Sequence, residues 1–110
     1  VADANDVAGD LKEGDLVFID PPYSGVHYSR FYHVLETLAV GECGEVQGVG
    51  RYPATARRPR SKYSVGSESK TALANLFETL SMRRVRAIVT FPDHACSNGM
   101  SGDDVRVLAR

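Results

Sequence analysis

This 110-residue chain has the length of one small domain, and its 43% hydrophobic and 25% charged residues are ordinary for a soluble globular protein. No apolar run approaches the roughly 18 residues that a membrane span needs, and the N-terminus lacks the basic start and apolar core of a signal peptide. Cys43 and Cys96 form neither a disulfide framework nor a zinc pattern. We therefore expect a cytoplasmic protein without a metal site.

The net charge of −1 conceals two segments of opposite charge. The first twenty residues carry six acids and one base, whereas residues 46–66 carry five bases and no acid. An acidic segment suits a cationic or polar small ligand, and a basic segment suits an anionic polymer. The basic residues are Arg51, Arg57, Arg58, Arg60 and Lys62.

The N-terminal part of the chain predicts two strands joined by a turn. Residues 1–7 favour a short strand with Asp3 and Ala4 at its tip, and residues 9–14 favour a turn or a short helical piece. Residues 16–19 are apolar at four successive positions, which is typical of a parallel strand covered on both faces. Pro21 and Pro22 have locked φ angles and no backbone N–H, so the strand must end there.

A helix and a long loop are expected next. Apolar residues follow helical spacing from Tyr28 to Ala39, and Gly41 is well placed to end the helix. This spacing favours Tyr28, Phe31 and Tyr32 as core residues over the alternative that they line a base pocket. Residues 41–69 lack a sustained period, and a loop of that length is usually functional or mobile. Its basic residues fit either a solvated surface loop or an arm that contacts phosphates.

The last third of the chain predicts a helix, a strand and a second helix. Ser69 is a candidate cap for the first helix, whose apolar stripe comprises Ala72, Leu73, Leu76, Phe77 and Leu80. Residues 85–91 are rich in β-branched residues and precede Pro92, so they predict a strand. Ser101 is a candidate cap for the last helix, with two acids in its first turn. This order is the middle and end of a doubly wound α/β fold.

The turn from Asp20 to Tyr23 has the groups needed to bind an amine on a nucleobase. The nitrogen lone pair of such an amine is delocalised into the ring, and hydrogen-bond acceptors for both amino protons favour the tetrahedral nitrogen that attack requires. The Asp20 carboxylate and the rigid Pro21 and Pro22 carbonyls, with no competing N–H groups expected nearby, are such acceptors. Tyr23 offers a ring on which a flipped base could stack.

Asp20-Pro21-Pro22-Tyr23 resembles the catalytic motif of amino-group nucleic-acid methyltransferases that use S-adenosylmethionine. Residues 28–36 (YSRFYHVLE) and 97–102 (SNGMSG) extend the resemblance to the DNA N6-adenine methyltransferases, many of which belong to restriction–modification systems. The resemblance implies that these four residues hold the target adenine in DNA. It also implies that Asp3 and Asp20 contact the cofactor.

One part of that family's pattern is missing. Its glycine-rich cofactor loop precedes the catalytic motif, whereas Gly48-Val49-Gly50 follows it here. We therefore expect residues 1–110 to be a fragment of one catalytic domain, a partial doubly wound (Rossmann-like) methyltransferase fold that lacks the first strands. An inserted basic loop would occupy about residues 41–69, and the remainder of the parent chain would be a partner.

Three alternatives share some of these features. RNA guanine-N2 and glutamine-N5 methyltransferases also place an acid or amide before Pro-Pro-Tyr, and a non-catalytic nucleic-acid-binding piece would need only the basic loop. Covalent catalysis by Cys96 is disfavoured, because three residues separate it from Pro92. His94 and Cys96 lack the further ligands of a zinc site. Residues 97–99 (SNG) predict a turn that could face the cleft.

Overall fold

The computed structural model describes residues 2–53 and 60–110, which form two compact units. Among the described residues, the sheet unit comprises 2–25 and 62–110, and the helix–hairpin unit comprises 26–53 with residues 60 and 61. None of the helices in the described ranges is long and apolar enough to cross a membrane.

The sheet unit is built on two parallel strands. Strands β1 (Leu16–Ile19) and β4 (Arg86–Val89) pair in parallel, with Leu16 opposite Arg86 and Ile19 opposite Val89. Helix α3 (Ser69–Met82) lies between them in the chain, as a parallel connection requires. Both predicted strands are confirmed, although β4 is shorter than the predicted 85–91. The chain is therefore a small α/β protein.

The core lies between α3 and one face of this sheet. Ala72, Leu73, Leu76 and Leu80 are buried along α3, and Phe77 packs against them, which confirms the predicted stripe. Val17 and Ile19 of β1 pack on the same core. On the opposite face, Leu16, Phe18 and Ile88 are 58%, 68% and 52% exposed. The expectation that β1 is covered on both faces is therefore wrong for the described residues.

The first residues form a helix, α1 (Ala4–Ala8), where a strand was expected. Asp3 is its N-cap, and the Asp3 Oδ1 accepts a hydrogen bond from the Asn5 backbone N–H at 2.9 Å. Asp is among the strongest N-cap residues, and Asn and Asp are depleted in strands. Capping therefore outweighs the short apolar pattern, and the strand predicted for residues 1–7 is wrong over residues 4–7, which lie in α1. Val1 lies outside the described residues.

The two serines expected to cap helices behave differently. Ser101 caps helix α4 (Gly102–Leu108) in a capping box, in which its Oγ accepts from the Asp104 N–H and its own N–H donates to Asp104 Oδ2. This prediction is confirmed. Ser69 is not the cap of α3, since Glu68 holds that position without a side-chain hydrogen bond. The Ser69 Oγ instead donates to the Asn98 carbonyl at 2.7 Å.

The helix–hairpin unit contains α2 (Ser29–Val40) and a small antiparallel pair, β2 (Val46–Gln47) with β3 (Tyr52–Pro53). Gly41 ends α2 in the left-handed region at φ 77°, as predicted. The hairpin lies in the segment expected to be irregular. Tyr28, Phe31 and Tyr32 remain exposed, so their expected core role is wrong. The two strands of this unit have two residues each, so they offer little surface to cover the twelve-residue helix α2.

Candidate active site at the end of strand β1

The candidate site begins where the two parallel strands end. Asp20 directly follows β1 and Thr90 directly follows β4, and the Thr90 N–H donates to the Ile19 carbonyl at 3.0 Å. The Thr90 hydroxyl also donates to Asp20 Oδ1 at 2.6 Å. Since the carboxyl ends of parallel strands share one edge of a sheet, the topology places these two side chains together. Hydrogen bonds that involve an ionised carboxylate are short and strong, so Thr90 holds the Asp20 carboxylate in one orientation.

The two proline carbonyls differ in their surroundings. The Pro22 carbonyl accepts a hydrogen bond from Asn98 Nδ2 at 2.8 Å, so the expectation of no competing donor is wrong at Pro22. Pro21 is buried, and no hydrogen bond reaches its carbonyl from the described residues. Within the same ranges, Asp20 Oδ2 has no hydrogen-bond partner. Of the three predicted acceptor groups, the Asp20 carboxylate and the Pro21 carbonyl can therefore each accept a further hydrogen bond.

Asn98 is a buried centre of hydrogen bonds beneath this turn. Its side chain is 0% exposed, and Nδ2 donates to the Pro22 carbonyl and to the Tyr63 carbonyl at 3.1 Å. Its Oδ1 accepts from the Met100 N–H at 3.2 Å. Gly99 has a positive φ of 83°, which confirms the predicted turn at residues 97–99. The asparagine side chain thus joins three segments of the sheet unit.

Tyr63, which lies in a short 3₁₀ helix (Lys62–Ser64), ties α1 to the same region. The buried Tyr63 hydroxyl donates to Asn5 Oδ1 at 2.6 Å, and Asn5 Nδ2 donates to the Ala72 carbonyl. Burial, aided by the nearby negative charge of Asp3, raises the pKa of Tyr63 from 10.0 to about 12. Tyr63 is therefore neutral at any physiological pH.

A cavity of about 370 Å³ opens beside the turn, inside the sheet unit. Asp20, Pro21 and Pro22 line one part of it, and apolar side chains line most of the rest. The apolar lining includes Val7, Leu11, Val17, Phe18, Leu76 and Leu80. An apolar cavity with a few polar groups at one end is typical of a small-molecule site.

The other predicted site residues are more dispersed. Asp3, the predicted cofactor contact, caps α1 and pairs with Lys62, whose Nζ lies 3.6 Å from Asp3 Oδ2. Lys62 belongs to the sheet unit, whereas Arg51 and Arg60 belong to the helix–hairpin unit. The predicted phosphate contacts Arg57 and Arg58 lie outside the described residues. Among the residues that the structure describes, no group of three or more His, Cys, Asp or Glu could hold a metal ion.

Sequence reasoning missed the roles of Thr90 and Asn98. Thr90 ends the strand that neighbours β1, so a correct strand pairing would have placed it beside Asp20. Asn98 was interpreted as part of a turn and of the segment 97–102 that carries the family resemblance, and neither interpretation gave its side chain a hydrogen-bonding role. Nothing in the sequence distinguishes a turn asparagine that faces solvent from one that is fully buried.

Comparison with known proteins connects this site to one family. Residues 1–91 match the family model of the D12 class N6 adenine-specific DNA methyltransferases. The chain is 35% identical over 88 residues to the type II methyltransferase M.FokI of Planomicrobium okeanokoites, an alignment that covers 74% of this chain. It is 37% identical over 73 residues, or 66% of this chain, to the modification methylase LlaI of Lactococcus lactis subsp. lactis. It is 26% identical over 83 residues, or 76% of this chain, to the modification methylase StsI of Streptococcus sanguinis.

These alignments cover only 13%, 11% and 12% of the lengths of the three relatives. No solved structure matches the chain significantly. The match to the family model spans both strand ends that build the site, from Asp20 to Thr90. The chain belongs to the D12 class of N6 adenine-specific DNA methyltransferases.

Proposed function

We propose that this chain holds the target adenine of an enzyme that transfers a methyl group from S-adenosylmethionine to the N6 amine of adenine in DNA. One observation supports this most directly. Asp20 follows β1 with Oδ1 held by Thr90, and its Oδ2 and the Pro21 carbonyl are left without partners among the described residues. In a chain of the D12 family, two such acceptors at a sheet edge suit the two protons of one amino group.

The chemistry required of these residues is hydrogen bonding in a fixed geometry. S-adenosylmethionine supplies an electrophilic methyl group. Asp20 Oδ2 and the Pro21 carbonyl accept hydrogen bonds from the two amino protons, which favours a tetrahedral nitrogen and directs its lone pair away from the ring. The amine nitrogen would form the new C–N bond as the bond between sulfur and the methyl carbon breaks and S-adenosylhomocysteine leaves. One amino proton would then pass to water, directly or through Asp20 Oδ2. The rate enhancement would come from positioning of the amine and from hydrogen-bond acceptors that are oriented before the reaction.

Tyr23 is the proposed surface for the adenine ring. Tyr23 directly follows the two rigid prolines, and it is 49% exposed. A tyrosine with about half of its surface exposed can stack on a base, and such stacking contributes about 1–3 kcal/mol per base. The ring would hold the flipped adenine in the plane in which its amine reaches Asp20 and Pro21.

The residues present fit the cofactor in chemical type. The cavity beside Asp20 has the apolar lining that an adenine ring prefers, and Ala4 on its wall directly follows Asp3. The carboxylates of Asp3 and Asp20 can accept hydrogen bonds from amino and hydroxyl groups. A cofactor contact at Asp3 would replace its ion pair with Lys62, which is exposed and weak at 3.6 Å.

We further propose that the sheet unit is one part of a doubly wound, Rossmann-like methyltransferase domain. Its uncovered face at Leu16, Phe18 and Ile88 supports this, because parallel sheets are almost always covered on both faces. The short share of the relatives' lengths is consistent with a segment of a longer catalytic chain. Within it, the segment from about residue 41 to residue 61 would be an insertion. Its bases Arg51, Arg57, Arg58 and Arg60, together with Lys62 of the sheet unit, would contact DNA phosphates.

The test is transfer of a labelled methyl group by the full-length gene product. DNA, structured RNA and protein are offered separately with labelled S-adenosylmethionine, and the products are digested and separated. We expect the label in N6-methyladenine from DNA, and its loss in the Asp20→Ala variant. Label in guanine from RNA or in glutamine would refute the adenine assignment. DNA binding without any transfer would show a non-catalytic binding protein.

A further inference from the structure

The loop that follows β4 forms hydrogen bonds to the backbone on both sides of Tyr23. We call residues 20–23 the catalytic turn. Asn98 Nδ2 donates to the carbonyl of Pro22, the residue before Tyr23. The Gly25 N–H, two residues after Tyr23, donates to the Ser97 Oγ at 3.0 Å. Neighbouring residues of one loop therefore fix the backbone immediately before Tyr23 and shortly after it.

The approach at Gly25 is closer than a side chain would permit. A Cβ on Gly25 would lie 2.9 Å from the Ser97 carbonyl oxygen, a distance that real Cβ atoms essentially never show. The backbones of the turn and the loop are therefore in direct contact. Displacement of the loop would move the turn with it.

Asn98 is itself held rigidly. Its side chain is 0% exposed, and all three of its hydrogen bonds go to backbone groups of other residues, at Pro22, Tyr63 and Met100. Its own carbonyl accepts from the buried Ser69 hydroxyl on α3. A buried amide with these partners cannot rotate without leaving several polar groups unsatisfied.

We infer that Asn98 is a positioning residue for the methyl-transfer reaction, and that it acts through the Pro22 carbonyl with Ser97 in support. Its amide occupies the Pro22 carbonyl and thereby leaves the Pro21 carbonyl as the proline acceptor for the substrate amine. It also fixes the backbone that carries Tyr23. This inference rests on the proposed function.

The predicted result is a loss of turnover without a loss of cofactor binding. In the full-length protein, Asn98→Ala removes the donor to Pro22, and we expect kcat to fall about 100-fold, as misplacement by about 1 Å can produce. The KM for S-adenosylmethionine should stay within about twofold, because Asn98 does not line the cavity beside Asp20. Ser97→Ala, at an exposed residue, should lower kcat about fivefold with little effect on folding.

Asn5→Ala is the matched control. Asn5 is also an asparagine that joins two segments by side-chain hydrogen bonds, to Tyr63 and Ala72, but it has no hydrogen bond to the catalytic turn. We expect it to lower the free energy of unfolding about as much as Asn98→Ala does, while kcat stays within about threefold of wild type.

Two results would overturn the inference while the proposed function stands. One is an active wild-type enzyme whose Asn98→Ala and Ser97→Ala variants both keep their kcat. The other is an Asn5→Ala control that loses as much turnover as Asn98→Ala at equal stability. If Asn98→Ala does not fold, the kcat of Ser97→Ala decides alone. A wild-type protein that transfers no methyl group would instead refute the proposed function, and this inference with it.

Discussion

Replacing Thr90 by valine tests whether Asp20 must be oriented for catalysis. Thr90→Val keeps the shape of the side chain and removes the hydroxyl that donates to Asp20 Oδ1 at 2.6 Å. A hydrogen bond to a charged group contributes about 1.5–3 kcal/mol of net stabilisation. Because Asp20 and Thr90 are both exposed, the lower end of this range applies to their hydrogen bond. About 1.4 kcal/mol corresponds to a tenfold change in rate. The variant should therefore transfer methyl groups about tenfold more slowly.

The assay is single-turnover transfer to DNA by the full-length protein, which separates the chemical step from product release. Thr79→Val is the matched control, because the Thr79 hydroxyl donates only to the Asn75 carbonyl of its own helix, at 2.9 Å. The control should keep the wild-type rate. A Thr90→Val rate equal to wild type, with the fold intact, would show that the Asp20–Thr90 hydrogen bond does not contribute to catalysis.

Two further predictions concern DNA binding and stability. Combining Arg57→Ala with Arg58→Ala should weaken DNA binding and reduce the slope of log affinity against log salt by about 2. An unchanged slope would show that these two arginines do not contact DNA phosphates. Tyr63→Phe should lower the free energy of unfolding by about 1 kcal/mol at neutral pH through loss of the hydrogen bond to Asn5. Because the folded state raises the pKa of Tyr63 from 10.0 to about 12, the stability that Tyr63 contributes is complete below pH 10 and is lost as the pH rises towards 12. Urea unfolding at several pH values should show the wild-type advantage shrinking above pH 10, and a difference independent of pH would contradict the raised pKa.

Much of the sheet unit could be predicted from the sequence, because its patterns are local. The apolar run before Pro21 predicts a strand and the stripe on α3 predicts a helix with one buried face, and both elements form as expected. The capping box at Ser101 is likewise set by residues three apart. The Asp20 turn could be located because two prolines end a strand whatever surrounds it.

The remaining features depend on contacts distant in the chain, which local patterns do not report. Serine is a common helix cap, but the Ser69 hydroxyl instead donates a hydrogen bond to the backbone carbonyl of Asn98, 29 residues later. Asn98 has the signature of a surface turn and is instead buried beneath Pro22. The aromatic residues of α2 follow a core pattern yet remain exposed, because periodicity predicts a face and not its partner.

The most direct test of the central claim is the single-turnover rate of the Asp20→Ala variant, measured together with its DNA affinity. If Asp20 accepts a proton of the adenine amine in the transition state, the rate should fall by about 100-fold or more, as it does when one preorganised polar group is removed from an active site. DNA affinity should stay within about threefold of wild type, because phosphate contacts supply most of it. A variant that binds DNA and still transfers methyl groups at the wild-type rate would contradict the account.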